Sequence, residues 1–98
     1  MVLEIAQYTV LPEKAEAFRT AMLTGGMPII RRAEGCRSVT LRQQIENPQV
    51  FILTIEWETL EHHIVTFRGS PSFTEYRSKI AGLYDGPIEV AHYQQLSA

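Results

Sequence analysis

The chain reads as an α+β fold: one four-stranded antiparallel sheet with two helical regions on one of its faces. Three observations predict it. Residues 2–10, 38–46, 50–57 and 88–96 read as strands, by apolar and polar alternation or by rows of branched and aromatic side chains. Two segments with apolar residues at helical spacing separate the first strand from the second and the third from the fourth. Only the turn Asn47-Pro48-Gln49 separates the middle pair, which makes them a hairpin. The order is therefore β-α-β-β-α-β, a split βαβ arrangement, and right-handed crossovers place both helical regions on the same face. The 98 residues are expected to form a single domain, 1–98.

The first strand, Val2 to Val10, sets Leu3, Ile5, Gln7 and Thr9 on one face and Val2, Glu4, Ala6, Tyr8 and Val10 on the other. The face of Leu3 and Ile5 is expected to be the buried one. Leu11-Pro12-Glu13 ends the strand and opens a helix, since proline is tolerated in a first turn and glutamate suits the positive end of the helix dipole. Ala15, Phe18 and Met22 form its buried stripe, Gly25-Gly26 interrupts it, and a second piece runs from Pro28 to Ala33, capped by Gly35. In the hairpin, Val39, Leu41, Gln43 and Ile45 oppose Thr40, Arg42 and Gln44, while Phe51, Leu53, Ile55 and Trp57 share one face. Thr59 caps a helix to about Arg68, with Leu60, His63, Ile64 and Phe67 as its inward stripe. Ser70-Pro71 opens another to about Tyr84, with Phe73, Tyr76, Ile80 and Leu83 inward. Asp85-Gly86-Pro87 breaks it before the last strand, Ile88 to Leu96.

Composition narrows the function. A net charge of −2 and the lack of a basic block give no reason to expect nucleic acid or an anionic membrane as partner. One cysteine, Cys36, allows neither an internal disulfide nor a cysteine-rich zinc site and suits a reducing compartment. No leader pattern opens the chain and no apolar run is long enough to span a bilayer, so a cytoplasmic protein is expected. Helices on one sheet face leave the other bare. That face, expected to carry Glu4, Ala6, Tyr8, Ile52, Thr54 and Glu56, is flat and partly apolar, so a homodimer packed sheet to sheet is expected.

The chemistry concentrates around Trp57. An indole donor needs a partner once buried, either in the core or on a ligand oxygen. His63, on an apolar stripe, is either a packing residue or a base, and His62 points elsewhere because helical neighbours diverge. Arg77, one position round from Tyr76, is either solvated or set to stabilise a phenolate or carboxylate. Gln7, on the face read as buried, either braces the interior or meets a polar ligand. His92 and Tyr93 read as sheet or interface residues. No metal-ligand spacing, phosphate loop or paired carboxylates stand out, and no metal or other cofactor is expected. Together the residues describe a small pocket with aromatic walls, one histidine and one arginine.

Trp57, His63 six residues on, then Phe67-Arg68-Gly69-Ser70-Pro71 and Phe73 resemble the antibiotic biosynthesis monooxygenase family. Glu46-Asn47-Pro48 and Glu89-Val90-Ala91-His92-Tyr93 fit it too. The resemblance implies a ferredoxin-like protomer that pairs into a dimeric α/β barrel, with a pocket between sheet and helices. It also implies cofactor-independent oxidation of phenolic substrates by dioxygen. In that reading the small aromatic substrate is a phenol or quinol. Trp57 and Gln7 donate to its oxygens, His63 is base or anchor, and Arg77 stabilises the anion. Phe18, Met22, Leu53, Phe67, Phe73 and Tyr76 form the walls. Leu53 stands where oxygenase members can carry an asparagine. Arg77, which cannot ligate iron, stands near the histidine of the haem-degrading branch. A non-catalytic binding dimer and a non-oxidative isomerase or decarboxylase are the alternatives on the same fold.

Overall fold

The computed structural model describes residues 1–97. Its strands are β1 (Val2–Thr9), β2 (Cys36–Gln43), β3 (Val50–Trp57) and β4 (Asp85–Gln94), all antiparallel in the order β2-β3-β1-β4. The helical segments α1 (Ala15–Ala21), α2 (Met27–Arg31) and α3 (Pro71–Ile80) cover one face, giving the ferredoxin-like βαββαβ arrangement. No helix among the described residues is long and apolar enough to cross a membrane.

The hairpin obeys its alternation. Phe51, Leu53, Ile55 and Trp57 are all buried against the helices. Strand β1 does the reverse of what its own pattern predicts. Its register pairs Tyr8 with Phe51, Ala6 with Leu53 and Glu4 with Ile55. Directly paired residues share a face, so Glu4, Ala6, Tyr8 and Val10 turn inward and are buried. Leu3, Ile5 and Gln7 pair with Glu56, Thr54 and Ile52 on the open face, where all six are half-buried. Both faces of β1 carry apolar side chains, and alternation alone does not choose between them; the cross-strand partner does. The open face is thus correspondingly more apolar than expected.

Strand ends shift by a few residues. Strand β2 starts at Cys36 with a register shift before Ser38, and residues 44–49 form the turn. Strand β4 starts at Asp85 because two extra residues bulge between its pairings with Thr9 and Gln7. Gly86, at φ 72°, supplies the left-handed backbone there.

The larger departure is in winding. Gly25-Gly26 does not interrupt the first helical region. The chain passes from α1 to α2 through a π turn, Met22–Gly26, closed by the Met27 amide on the Met22 carbonyl. Gly26 is needed for closeness rather than for a break: a Cβ there would lie 3.1 Å from the Tyr76 ring and 3.2 Å from the Met22 sulfur. After β3, the Thr59 hydroxyl accepts the His62 amide as a cap should, at 3.2 Å. The chain then winds as a second π turn, His62–Phe67, closed by the Arg68 amide on the His63 carbonyl at 3.1 Å. The wider turn breaks the predicted stripe. His63 and Phe67 are buried, whereas Leu60 and Ile64 are 36% and 39% exposed. Helix α3 begins as predicted, with Ser70 Oγ accepting the Phe73 amide, but ends at Ile80 rather than Tyr84.

Candidate functional site

A cavity of about 380 Å³ lies between the inner sheet face and the helices. That volume is at the small end of ligand sites, room for one or two fused rings. Leu53, Ile55, Phe67, Phe73, Ile80 and Ile88 give it mainly apolar walls. The polar groups on its wall, with the side chains directly behind them, fall into three sets.

The first set comes from four separate elements. Glu4, on β1, is paired with His92 on β4. Trp57, at the end of β3, donates its indole N–H to Glu4 Oε1 at 2.9 Å. His63, delivered by the second π turn, stacks on Trp57 with ring centroids 5.4 Å apart and planes 12° apart. Its Nε2 lies 3.4 Å from the same Glu4 oxygen, and its Nδ1 lies 2.7 Å from Nε2 of His92. Glu4 and His63 are 5% and 4% exposed.

Burial disfavours charge on each member. It raises the Glu4 pKa above the usual carboxylate range, against the lowering effect of the Trp57 hydrogen bond and of nearby Arg68. It lowers His63 to about 4, helped by Arg68 and His92, and lowers His92 as well, helped by Arg68. Both imidazoles are therefore neutral at pH 7, and Glu4 carries whatever charge the cluster has. A neutral imidazole has one donor and one acceptor nitrogen. When Glu4 is ionised, the tautomer of His63 with its proton on Nε2 sets the positive end of the ring 3.4 Å from the carboxylate, an electrostatic contact rather than a hydrogen bond, and Nδ1 then accepts from His92. When Glu4 is protonated, its O–H can turn to a bare Nε2, and His63 then donates from Nδ1 to His92. The protonation state of Glu4 is thus tied to the tautomers of two histidines, the outer of which is half-exposed.

The second set is the hydroxyl pair Tyr8 and Tyr76, hydrogen-bonded to each other, with the Tyr76 hydroxyl 4.0 Å from the Met22 sulfur. Burial raises Tyr8 to about 12 and Tyr76 well above its usual 10, so both remain protonated donors. The third set is at the rim. Arg68 follows the π turn, and Arg77 on α3 sets its guanidinium 5.8 Å from the centroid of the Phe73 ring. Both arginines are exposed.

Six of the residues expected at the site line this cavity: His63, Arg77, Leu53, Phe67, Phe73 and Tyr76. Trp57 stands behind His63 with its N–H committed to Glu4. Phe18 and Met22 are core residues one layer back. Phe18 packs on Tyr8 and Phe51 at 5.3 and 4.9 Å, and Met22 lies beneath Tyr76. Gln7 is on the opposite face of the sheet and meets none of them. His62 turns away, with Nδ1 2.8 Å from the Thr59 hydroxyl. Sequence reasoning missed Glu4, Tyr8, Arg68 and His92 as members of this region. One signal pointed to the first two: they share the parity of Ala6 and Val10, an apolar row that needs a core. Among the described residues no group of three or more histidine, cysteine or acidic side chains could hold a metal ion.

The family model described as Antibiotic biosynthesis monooxygenase matches residues 1–79. The chain is 33% identical over 84 residues to the uncharacterized protein YczJ of Bacillus subtilis, covering 86% of this chain and 83% of that one. A crystal structure from Bordetella bronchiseptica superposes with a TM-score of 0.92 at 34% identity, covering 98% of this chain and 97% of the other. A monooxygenase from the gene ActVA-Orf6 of Streptomyces coelicolor, solved in complex with nanaomycin D, has the same fold. Its TM-score is 0.83 at 19% identity, over 99% of this chain and 88% of that one.

Proposed function

The chain belongs to the antibiotic biosynthesis monooxygenase family, and from that premise we propose that its cavity oxidises a small phenolic or quinol-type aromatic with dioxygen, using no metal or organic cofactor. The observation that carries this reading is Glu4: a carboxylate buried in a mainly apolar cavity, with its proton affinity raised and a neutral histidine behind it. A carboxylate that faces the cavity with raised proton affinity suits general-base work.

The reaction requires a phenol to become an anion electron-rich enough to reduce oxygen. Glu4 takes the phenolic proton, and the Trp57 indole and His63 hold the carboxylate in place. This revises the role expected for His63. At a pKa near 4, with both nitrogens facing partners, it serves as relay and support rather than as the first base. The Tyr8 and Tyr76 hydroxyls, on the inner wall near Glu4, stabilise the phenolate, while Arg77 at the rim holds the far end of the ring system. Transfer of electrons to dioxygen then converts the phenol and O₂ to a quinone and water: one oxygen atom becomes the new carbonyl and the other leaves as water. The complex of the Streptomyces protein with nanaomycin D supports a small-molecule site in this fold. The half-buried Leu3, Ile5 and Ile52 support a homodimer formed through the open sheet face, and the single cysteine, Cys36, supports action in a reducing compartment such as the cytoplasm.

The test is oxygen uptake by metal-free protein over a panel of hydroquinones, dihydroxynaphthalenes and anthrones, corrected for autoxidation. Uptake with one ring class that Glu4→Gln reduces at least a hundredfold is expected. Uptake unaffected by Glu4→Gln would remove the base assignment, and no uptake on any member would remove the oxygenase reading.

A further inference from the structure

The distribution of charge over the depth of the cavity says more about the ligand than the walls do. Its floor holds an acidic group, Glu4, 5% exposed, while its rim holds Arg68 and Arg77, both exposed. Neither arginine has a carboxylate within 4.0 Å among the described residues, whereas Arg19 and Arg37 are paired with Glu16 and Glu58. The two rim charges stand apart in function. Arg68 directly follows the turn that carries His63, and Arg77 is next to Tyr76 on α3, so each of the two cavity-lining charges flanks one of the polar clusters. Arg77 is held over the Phe73 ring, which keeps its fork at the mouth.

A ligand anion therefore meets opposite signs at the two ends. At the floor it faces a buried carboxylate; at the rim it finds two guanidinium groups with planar, bidentate donor geometry. A hydroxyl behaves in the opposite way, since it can donate to Glu4 but gains little from arginine. We propose that the ligand is a flat, bipolar aromatic of one or two fused rings, bound with a hydroxyl inward against Glu4 and a carboxylate outward between Arg68 and Arg77. This rests on the reading of the cavity as a phenol site and adds the second, anionic end and the direction in which the molecule enters.

Four naphthalene probes separate the possibilities by calorimetric titration, with no turnover needed. They are 6-hydroxy-2-naphthoate, whose groups lie at opposite ends; 3-hydroxy-2-naphthoate, whose groups are adjacent; 2-naphthol; and 2-naphthoate. The opposite-end isomer is expected to bind at least tenfold tighter than each of the other three. Arg68→Gln and Arg77→Gln, exposed substitutions that leave the core intact, should each reduce its advantage over 2-naphthol to about threefold or less. Glu4→Gln should reduce its advantage over 2-naphthoate. Equal affinity for 2-naphthol, an advantage that survives both arginine substitutions, or no binding by any probe would each overturn the proposal. Tight, arginine-dependent binding of 6-hydroxy-2-naphthoate without oxygen uptake would leave it standing and count against the oxygenase reading instead.

Discussion

Glu4 Oε1 and His63 Nε2 face each other across 3.4 Å inside a water-poor layer, on elements that meet only through the fold. Each is disfavoured as an ion by burial, yet in opposite senses, because one loses a negative charge and the other a positive one on becoming neutral. The pair therefore resists charging from both directions of pH, and stability should report it.

A carboxyl whose folded pKa is raised binds protons more readily in the native state than in the unfolded one. Stability attributable to Glu4 is then present at acid pH and falls as pH rises from the ordinary value of 4.5 through its folded value. Glu4→Gln keeps the shape and an acceptor for the Trp57 indole but cannot ionise. It should melt above wild type at pH 8, with the gap closing toward pH 4. A variant that melts lower at pH 8 would mean that the ionised carboxylate is net stabilised where it lies.

His63 has the opposite sign. Its folded pKa, about 4, is below the ordinary 6.5, so its contribution is full above pH 6.5 and lost as pH falls through 4. The shift corresponds to about 3 kcal/mol as an upper figure. His63→Phe keeps an aromatic stack on Trp57 and should lose less stability than wild type between pH 7 and pH 5, read as urea midpoints. An unchanged slope over that interval would rule out the buried neutral imidazole as its source. The Glu4→Gln background removes the opposing carboxyl and should make the histidine effect larger.

Two adjacent glycines should respond differently to a methyl group. Gly26→Ala forces a Cβ to 3.1 Å from the ring of Tyr76, which is buried and tied to Tyr8. Overpacking of about 1–3 kcal/mol should outweigh a helix-propensity gain of about 1 kcal/mol. Gly25→Ala meets only the flexible side chain of Lys79 at 3.4 Å and should be neutral or stabilising by up to about 1 kcal/mol. Equilibrium unfolding of the two variants checks the contrast. Equal effects would mean that Tyr76 can move aside.

The open sheet face predicts that Ile5→Glu or Ile52→Lys dissociates the proposed dimer. Sedimentation at a few concentrations should show wild type at twice the monomer mass and the variants shifted toward 98 residues. A monomeric wild type would leave this face without a partner of its own kind.

Strands β2 and β3 were legible because their inner rows are unambiguous. Phe51, Leu53, Ile55 and Trp57 alternate with Ile52, Thr54 and Glu56, and bulk decides the face. Strand β1 was not, since Leu3 and Ile5 compete with Ala6, Tyr8 and Val10, and only the register with β3 resolves the contest. That single inversion put Gln7 at the candidate site and left Glu4 out of it. The α3 lining, Phe73 and Tyr76, followed from regular 3.6-residue spacing. The stripe around His63 failed where the winding ceased to be regular, and nothing in residues 60–67 marks a π turn in advance. His92 was readable as a sheet residue but not as a partner of His63, because that contact joins residues 29 apart in sequence.

The turn that carries His63 holds one residue more than an α-helical turn would need to reach the same place. The position of the imidazole is therefore a matter of chain count as well as residue type. A relative of equal composition but one residue shorter between Trp57 and Ser70 would wind through regularly and swing its histidine off the indole. Alignments of this segment that close such a gap silently would match side chains that occupy different places in space.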